Sequence, residues 1–137
     1  MGLDVYLKRS GVRDRGESMR VLAVEDEPEY LEMLQEVMRA IGHTILIATD
    51  GAQAMRMAAS ERVDVIISDV KMPGMDGLEL HGKIRALPAH KNTPFIFLTG
   101  ISDVSAVKAA CTADCDMLLQ KPFPIDRLIT LFAGKVR

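Results

Sequence analysis

The chain has 137 residues, is 48% hydrophobic and carries a formal net charge of −2, which suits one domain with a core of its own and gives no reason to expect binding to nucleic acid or a membrane surface. Two cysteines, Cys111 and Cys115, are too few for a disulfide framework or a four-ligand zinc site, so reduced thiols and a cytoplasmic location are expected. No run of about 18 apolar residues and no apolar signal-peptide region occurs, so no membrane association is expected.

Residues 1–18 mix glycines and scattered charges and read as a disordered leader or tag, outside the functional argument. An alternating pattern follows. Val21–Val24 is a short apolar run, read as a buried strand. Glu25, Asp26 and Glu27 precede Pro28, which suits a first helical turn. Leu31, Leu34, Val37, Met38 and Ile41 recur at helical spacing, and Gly42 reads as the stop. Thr44–Ala48 is a second strand, and Asp50 a cap for a helix carrying Ala54, Met55 and Ala58. Val63–Ser68 is a third strand, followed by a loop with Pro73, Gly74 and Gly77. Leu80, Ile84 and Leu87 mark a third helical face. Pro94–Thr99, Asp103–Cys111 and Met117–Gln120 read as strand, helix and strand. Ile125, Leu128, Ile129 and Phe132 form the last helical face. Five residues follow Phe132, so no effector domain is expected within this chain.

Five successive β–α units with near-continuous apolar strands predict a doubly wound α/β fold with a parallel sheet covered on both faces. In such sheets ligands bind beyond the carboxyl ends of the strands. Glu25 and Asp26 follow strand one, Asp69 follows strand three, Thr99 ends strand four and Lys121 follows strand five, so all five converge. Three adjacent carboxylates repel one another, and a hard divalent cation such as Mg²⁺ relieves that repulsion. Glu25 and Asp26 form a metal ledge. Asp69 serves as metal ligand and as nucleophile, because carboxylates accept phosphoryl groups as aspartyl-phosphates. Lys121 neutralises one phosphoryl oxygen and Thr99 hydrogen-bonds another.

The stretch from Ile67 to Leu80, with Asp69, Met72-Pro73-Gly74 and Asp76-Gly77, resembles the phosphoacceptor region of response regulator receiver domains in two-component signalling. Val21–Glu27 is similar to their acidic-pair segment, Phe97–Gly100 to their threonine segment and Lys121-Pro122-Phe123 to their lysine segment. The intervals of 43 residues from Asp26 to Asp69, 30 to Thr99 and 22 to Lys121 fit that family. The resemblance implies a receiver domain over residues 19–137, flavodoxin-like, with strand order 2-1-3-4-5 and five helices. It implies Mg²⁺ on Asp26, Asp69 and the Lys71 carbonyl, with Glu25 acting through water, and a cis peptide before Pro122. The phosphodonor is implied to be a phosphohistidine on a sensor histidine kinase or histidine phosphotransfer protein, and phosphorylation of Asp69 switches a surface read by a downstream partner. Beyond that transfer and its hydrolysis, no enzymatic turnover is implied.

Two positions depart from the family pattern. Leu118 stands where many receivers carry an aromatic residue that turns inward behind the threonine, and Asp114 replaces a glycine. These departures lend slight support to an alternative, a pseudo-receiver interaction module that needs no phosphate, and the retention of Glu25, Asp26, Asp69, Thr99 and Lys121 argues against it. A haloacid-dehalogenase-like phosphatase requires a second acid two residues after the nucleophile, where Lys71 lies. A flavodoxin-like cofactor binder requires a glycine- or hydroxyl-rich loop after strand one, where three acids lie. Elsewhere, His43 is expected to be solvated, His81 and His90 structural, Cys111 and Cys115 buried small side chains, and Met33, Met38, Met55 and Met57 core filler. Gly82 interrupts the third helix for no evident reason.

Overall fold

The computed structural model describes residues 18–134. Most of the leader lies outside them. Among the described residues five parallel strands form one sheet: β1 (Arg20–Val24), β2 (Thr44–Ala48), β3 (Val65–Asp69), β4 (Phe95–Thr99) and β5 (Asp116–Gln120). Their order is β2-β1-β3-β4-β5. The helices are α1 (Pro28–Ala40), α2 (Gly51–Ser60), α3 (Gly77–Arg85), α4 (Val104–Ala110) and α5 (Ile125–Gly134).

The strands are apolar except near their ends because both faces of the sheet are covered. Successive side chains point to opposite faces. Val21, Ala23, Val65, Ile67, Ile96 and Leu98 pack with Leu34, Val37 and Met38 of α1 and Leu128, Ile129 and Phe132 of α5. Leu22, Val24, Ile66, Phe95 and Phe97 face Ala54 and Ala58 of α2, Leu80 and Ile84 of α3 and Val107 of α4.

Helix ends follow local chemistry. Pro28 opens α1, where its missing N–H costs nothing. The helix stops at Gly42, whose φ of +86° suits glycine. There the N–H groups of Gly42 and His43 donate to the carbonyls of Arg39 and Met38 at 3.1 and 2.8 Å, the paired bonds of a Schellman motif. Asp50 Oδ1 accepts from Gln53 N at 2.8 Å and caps α2. Asp76 does the same for α3 through Glu79 N.

Several boundaries differ from the sequence reading. β3 begins at Val65 rather than Val63 and includes Asp69. Asp64 is held outside it, its carboxylate accepting from Arg20 N at 2.8 Å. The segment read as one helix from Asp103 begins as a 3-10 turn over Ile101–Asp103 and becomes α4 at Val104. Cys111 and Cys115 are half-buried rather than buried.

The histidine reading is corrected most at His43, which is buried, not solvated. Its Nδ1 accepts from Met19 N at 3.1 Å, and its ring packs against Phe132. His81, also buried, packs against both Phe95 and Phe97, whose rings also touch each other. It meets Asp116 Oδ1 at 2.9 Å, and Arg85 donates to the same oxygen at 2.6 Å. Burial alone would raise the Asp116 carboxyl, but these hydrogen bonds outweigh it and hold the group below the usual carboxylate range. His90 bridges Thr93 Oγ1 and the carbonyl of Ala58.

A Cβ at Gly82 would meet nothing within 4 Å, so Gly82→Ala should stabilise the fold by about 1 kcal/mol, the helix-propensity difference, in urea denaturation. Desolvation lowers the pKa of His43, only partly offset by Asp64, and its Nε2 has no partner among the described residues. The folded state therefore binds this proton less readily than the unfolded chain. Stability due to a neutral His43 is full above the unfolded value of 6.5 and is lost as pH falls towards the depressed folded value, by at most about 1.4 kcal/mol per pH unit. His43→Asn should lose less stability than wild type between neutral and mildly acidic pH; parallel losses would refute the assignment.

Candidate functional site

The carboxyl ends of β1, β3, β4 and β5 lie side by side, with Val24 opposite Ser68 and Asp69 opposite Leu98 in register. Thr99 pairs with Gln120, and Lys121 N donates to the Thr99 carbonyl at 2.8 Å. This register carries Lys121 across to the acidic residues. The peptide between Lys121 and Pro122 is cis.

Glu25, directly after β1, is fully buried. Its Oε1 accepts from Glu27 N at 3.0 Å and its Oε2 from Lys121 Nζ at 3.1 Å. Asp69, 7% exposed, accepts from Val70 N through Oδ1 at 2.8 Å and from Lys121 Nζ through Oδ2 at 3.3 Å. The shortest contact of the ammonium is with Glu27 Oε1, at 2.7 Å. Burial, with the Asp69 charge adding to it, lifts the Glu25 carboxyl to about 7 against the pull of Glu27 N–H and Lys121. Desolvation opposes the charge on Lys121, yet its bonds to Glu27, Glu25 and Asp69 prevail and push its pKa up.

Carboxylate oxygens of Glu25, Glu27 and Asp69 lie within 4.8 Å of one another. Three carboxylates face one ammonium, and their all-oxygen donor set suits a hard divalent cation. Beside them opens a cleft of about 210 Å³ lined by Asp26, Asp69, Lys71, Ser102 and Lys121, among others. Asp26 is exposed and lines the cleft without belonging to the compact cluster. Lys71 is exposed, with Nζ 3.9 Å from Asp103. Thr99 is buried, and its Oγ1 donates to the Gly100 carbonyl at 3.0 Å.

The fold thus joins Glu25, Asp69 and Lys121 by direct contact, sets Asp26 and Lys71 on the adjoining cleft, and holds the Thr99 hydroxyl in a local bond. Glu27 belongs to the cluster although only its neighbours were singled out as ligands. Its place two residues after Glu25, just before the Pro28 helix start, was the available signal. Tyr30 also reaches this cluster, a placement that helical periodicity does not single out. Its ring centroid lies 4.2 Å from Lys121 Nζ. Leu118 is half-buried opposite Phe97 in register and packs on the face of Phe95 and Val107. No non-glycine among the described residues has a positive φ, so the turn at Asp114 does not require glycine.

A five-stranded parallel sheet of this order, with acids and a lysine at its carboxyl ends, defines a receiver domain, and the family model for the response regulator receiver domain matches residues 21–133. The chain belongs to that family. It is similar to the response regulator MprA of Mycobacterium ulcerans, 34% identical over 120 residues, covering 88% of this chain and 51% of that protein. The chain therefore spans about half the length of the curated relatives it matches. Among solved structures, the chemotaxis response regulator CheY4 of Vibrio cholerae superposes with a TM-score of 0.73 at 32% identity, over 82% of this chain and 94% of that one. The receiver domain of the sensor histidine kinase PA1611 of Pseudomonas aeruginosa gives 0.78 at 28% identity, over 88% and 98%, and that structure has a magnesium ion coordinated in its active-site cleft. Among the described residues no helix is long and apolar enough to cross a membrane.

Gly77 supports Asp69 from behind. Its N–H donates to the Val70 carbonyl at 2.8 Å, and a Cβ there would collide with the Asp69 carbonyl and Val70 Cα. Gly77→Ala should cost roughly 1–3 kcal/mol, as overpacking against backbone does. It should also shift the amide resonances of Asp69 and Val70 in NMR spectra.

Proposed function

We propose that this receiver domain takes a phosphoryl group on the Asp69 carboxylate from a phosphohistidine of a sensor histidine kinase or histidine phosphotransfer protein, in a Mg²⁺-dependent step in the cytoplasm. The observation that carries the reading is the nearly buried Asp69 at the end of β3, with Lys121 Nζ at 3.3 Å and the cleft in front of it.

The all-oxygen cluster of Glu25, Glu27 and Asp69, with Asp26 and Lys71 on the adjoining cleft, supports a Mg²⁺ site here, and we assign Asp26, Asp69 and the Lys71 carbonyl as its holders, with Glu25 acting through water. The compact cluster adds Glu27 to the carboxylates available. When bound, Mg²⁺ neutralises charge on the phosphoryl oxygens. An Asp69 oxygen forms the new P–O bond as the P–N bond of the donor breaks, and the departing imidazole nitrogen keeps the electron pair. Lys121, already on Asp69 Oδ2, gives an N–H to a phosphoryl oxygen. Thr99 Oγ1 exchanges the Gly100 carbonyl for another. Positioning and charge neutralisation are all that this transfer asks of the protein.

The exchange at Thr99 links the phosphate to the surface around β4 and β5. One charge-assisted bond contributes roughly 1.5–3 kcal/mol, whereas moving a balance from 1:99 to 99:1 takes about 5.5 kcal/mol. Thr99 and Lys121 must therefore act together. Leu118 brings neither a ring nor a hydroxyl to this rearrangement, so the signal passes to a downstream partner by packing. Leu118 also favours one second reading, a pseudo-receiver that binds its partner without phosphate.

Incubation with acetyl phosphate separates the two. The wild type should take up label with Mg²⁺ and lose that ability in EDTA, and Asp69→Ala should take up none. An unlabelled wild type beside a labelled control receiver would leave the pseudo-receiver reading standing.

A further inference from the structure

We propose that Tyr30 is a positioning residue for Lys121: its ring, braced by Phe123, seats the ammonium in the cleft by a contact that does not depend on the Glu25 and Asp69 carboxylates. The inference rests on the reading of Lys121 as the partner of a phosphoryl group on Asp69.

An ammonium has three N–H donors, and here Glu25, Glu27 and Asp69 accept from it at 3.1, 2.7 and 3.3 Å. A phosphoryl oxygen on Asp69 has to claim at least one of these donors. A divalent cation on Glu25 and Asp69 claims the same carboxylates. Either event weakens the bonds that hold Nζ, and a lysine on its flexible four-carbon stem would then be free to leave the site. The side chain of Glu27 is 53% exposed, so its pair with Lys121 is screened by solvent.

The Tyr30 ring answers this need differently. Nζ lies 4.2 Å from its centroid, within cation–π range. A ring face attracts the charge whichever oxygens the N–H groups choose. Tyr30 stands in the first turn of α1, which is packed on the sheet through Leu34, Val37 and Met38. Phe123, two residues beyond Lys121, meets Tyr30 with centroids 5.6 Å apart and planes at 35°. The segment from Lys121 to Phe123 is thereby joined to α1 at two points, one through the ammonium and one through the ring. Lys121 can exchange oxygen partners without losing its place.

The test compares wild type, Tyr30→Phe, which keeps the ring face, and Tyr30→Leu, which removes it, in the full chain. One readout is the Lys121 ε-methylene proton resonance, which a ring face displaces upfield of the other lysines. The other is the rate of Mg²⁺-dependent labelling by acetyl phosphate. The displaced resonance and the wild-type rate should persist in Tyr30→Phe. In Tyr30→Leu the resonance should return among the other lysines and the rate should fall about tenfold, as a partly desolvated cation–π contact implies. Phe123→Leu leaves Tyr30 present but unbraced and should give smaller changes of the same sign, which keeps the test open should Tyr30→Leu fail to fold. An undisplaced Lys121 resonance in the wild type, or Tyr30→Phe matching Tyr30→Leu in both readouts, would overturn the proposal. A wild type that shows the displaced resonance but takes no label would instead overturn the phosphoacceptor reading and leave the seat intact.

Discussion

Everything at the carboxyl end of this sheet is arranged around one ammonium among three carboxylates. Glu25 and Asp69 are buried where like charges repel, and Lys121 Nζ lies within 3.3 Å of both. Remove that charge and two buried acids face each other without compensation, which is among the costlier arrangements in a protein interior. Even with Lys121 present, Glu25 is lifted to about 7. Burial is the main cause of that rise; what the geometry itself shows is three carboxylates around one ammonium, an all-oxygen donor set that suits a hard divalent cation.

The fold brings these groups together without local sequence proximity. β1 and β3 are neighbours because the strand order doubles back, so Glu25 and Asp69 meet although 44 positions separate them in the chain. β5 sits at the far edge, two strands from β3, and Lys121 must reach back over β4. The bond from Lys121 N to the Thr99 carbonyl fixes the start of that reach. Gly77 allows α3 to begin close against the backbone of Asp69. Apolar packing above and below the sheet holds these strand ends in place.

Much of this was legible in the sequence. Short apolar runs bounded by acids, prolines and glycines identify the strands, and the alternation with helical periodicity leads to the doubly wound sheet. Glu25, Asp69, Thr99 and Lys121 are readable because they are polar residues at the ends of apolar strands. What periodicity does not carry is side-chain direction past the strand end. Glu27 turns into the cluster and Asp26 lies exposed on the cleft, although the adjacent pair Glu25 and Asp26 reads more naturally as the ledge. Tyr30 and Phe123 likewise look like ordinary apolar helix and loop residues until the chain returns Lys121 to α1. His43 reads as a solvated link residue because its hydrogen-bond partner, Met19 N, lies just before β1 and far away in the sequence. The Arg85–Asp116–His81 group joins α3 to β5 across 31 and 35 positions, and no local pattern announces it.

Leu118 marks where family likeness and this chain part company. It packs on the apolar face beside Phe95 and Phe97, so movement of Thr99 would be felt there as a change of packing rather than a change of hydrogen bonding. The most direct measurement of the central claim is chemical mapping of the phosphoryl group. The protein is treated with acetyl phosphate and Mg²⁺, reduced with borohydride to convert an aspartyl-phosphate to homoserine, and digested for mass spectrometry. The account predicts homoserine at residue 69 and at no other aspartate. Homoserine at Asp26 or another aspartate, with residue 69 unchanged, would contradict it.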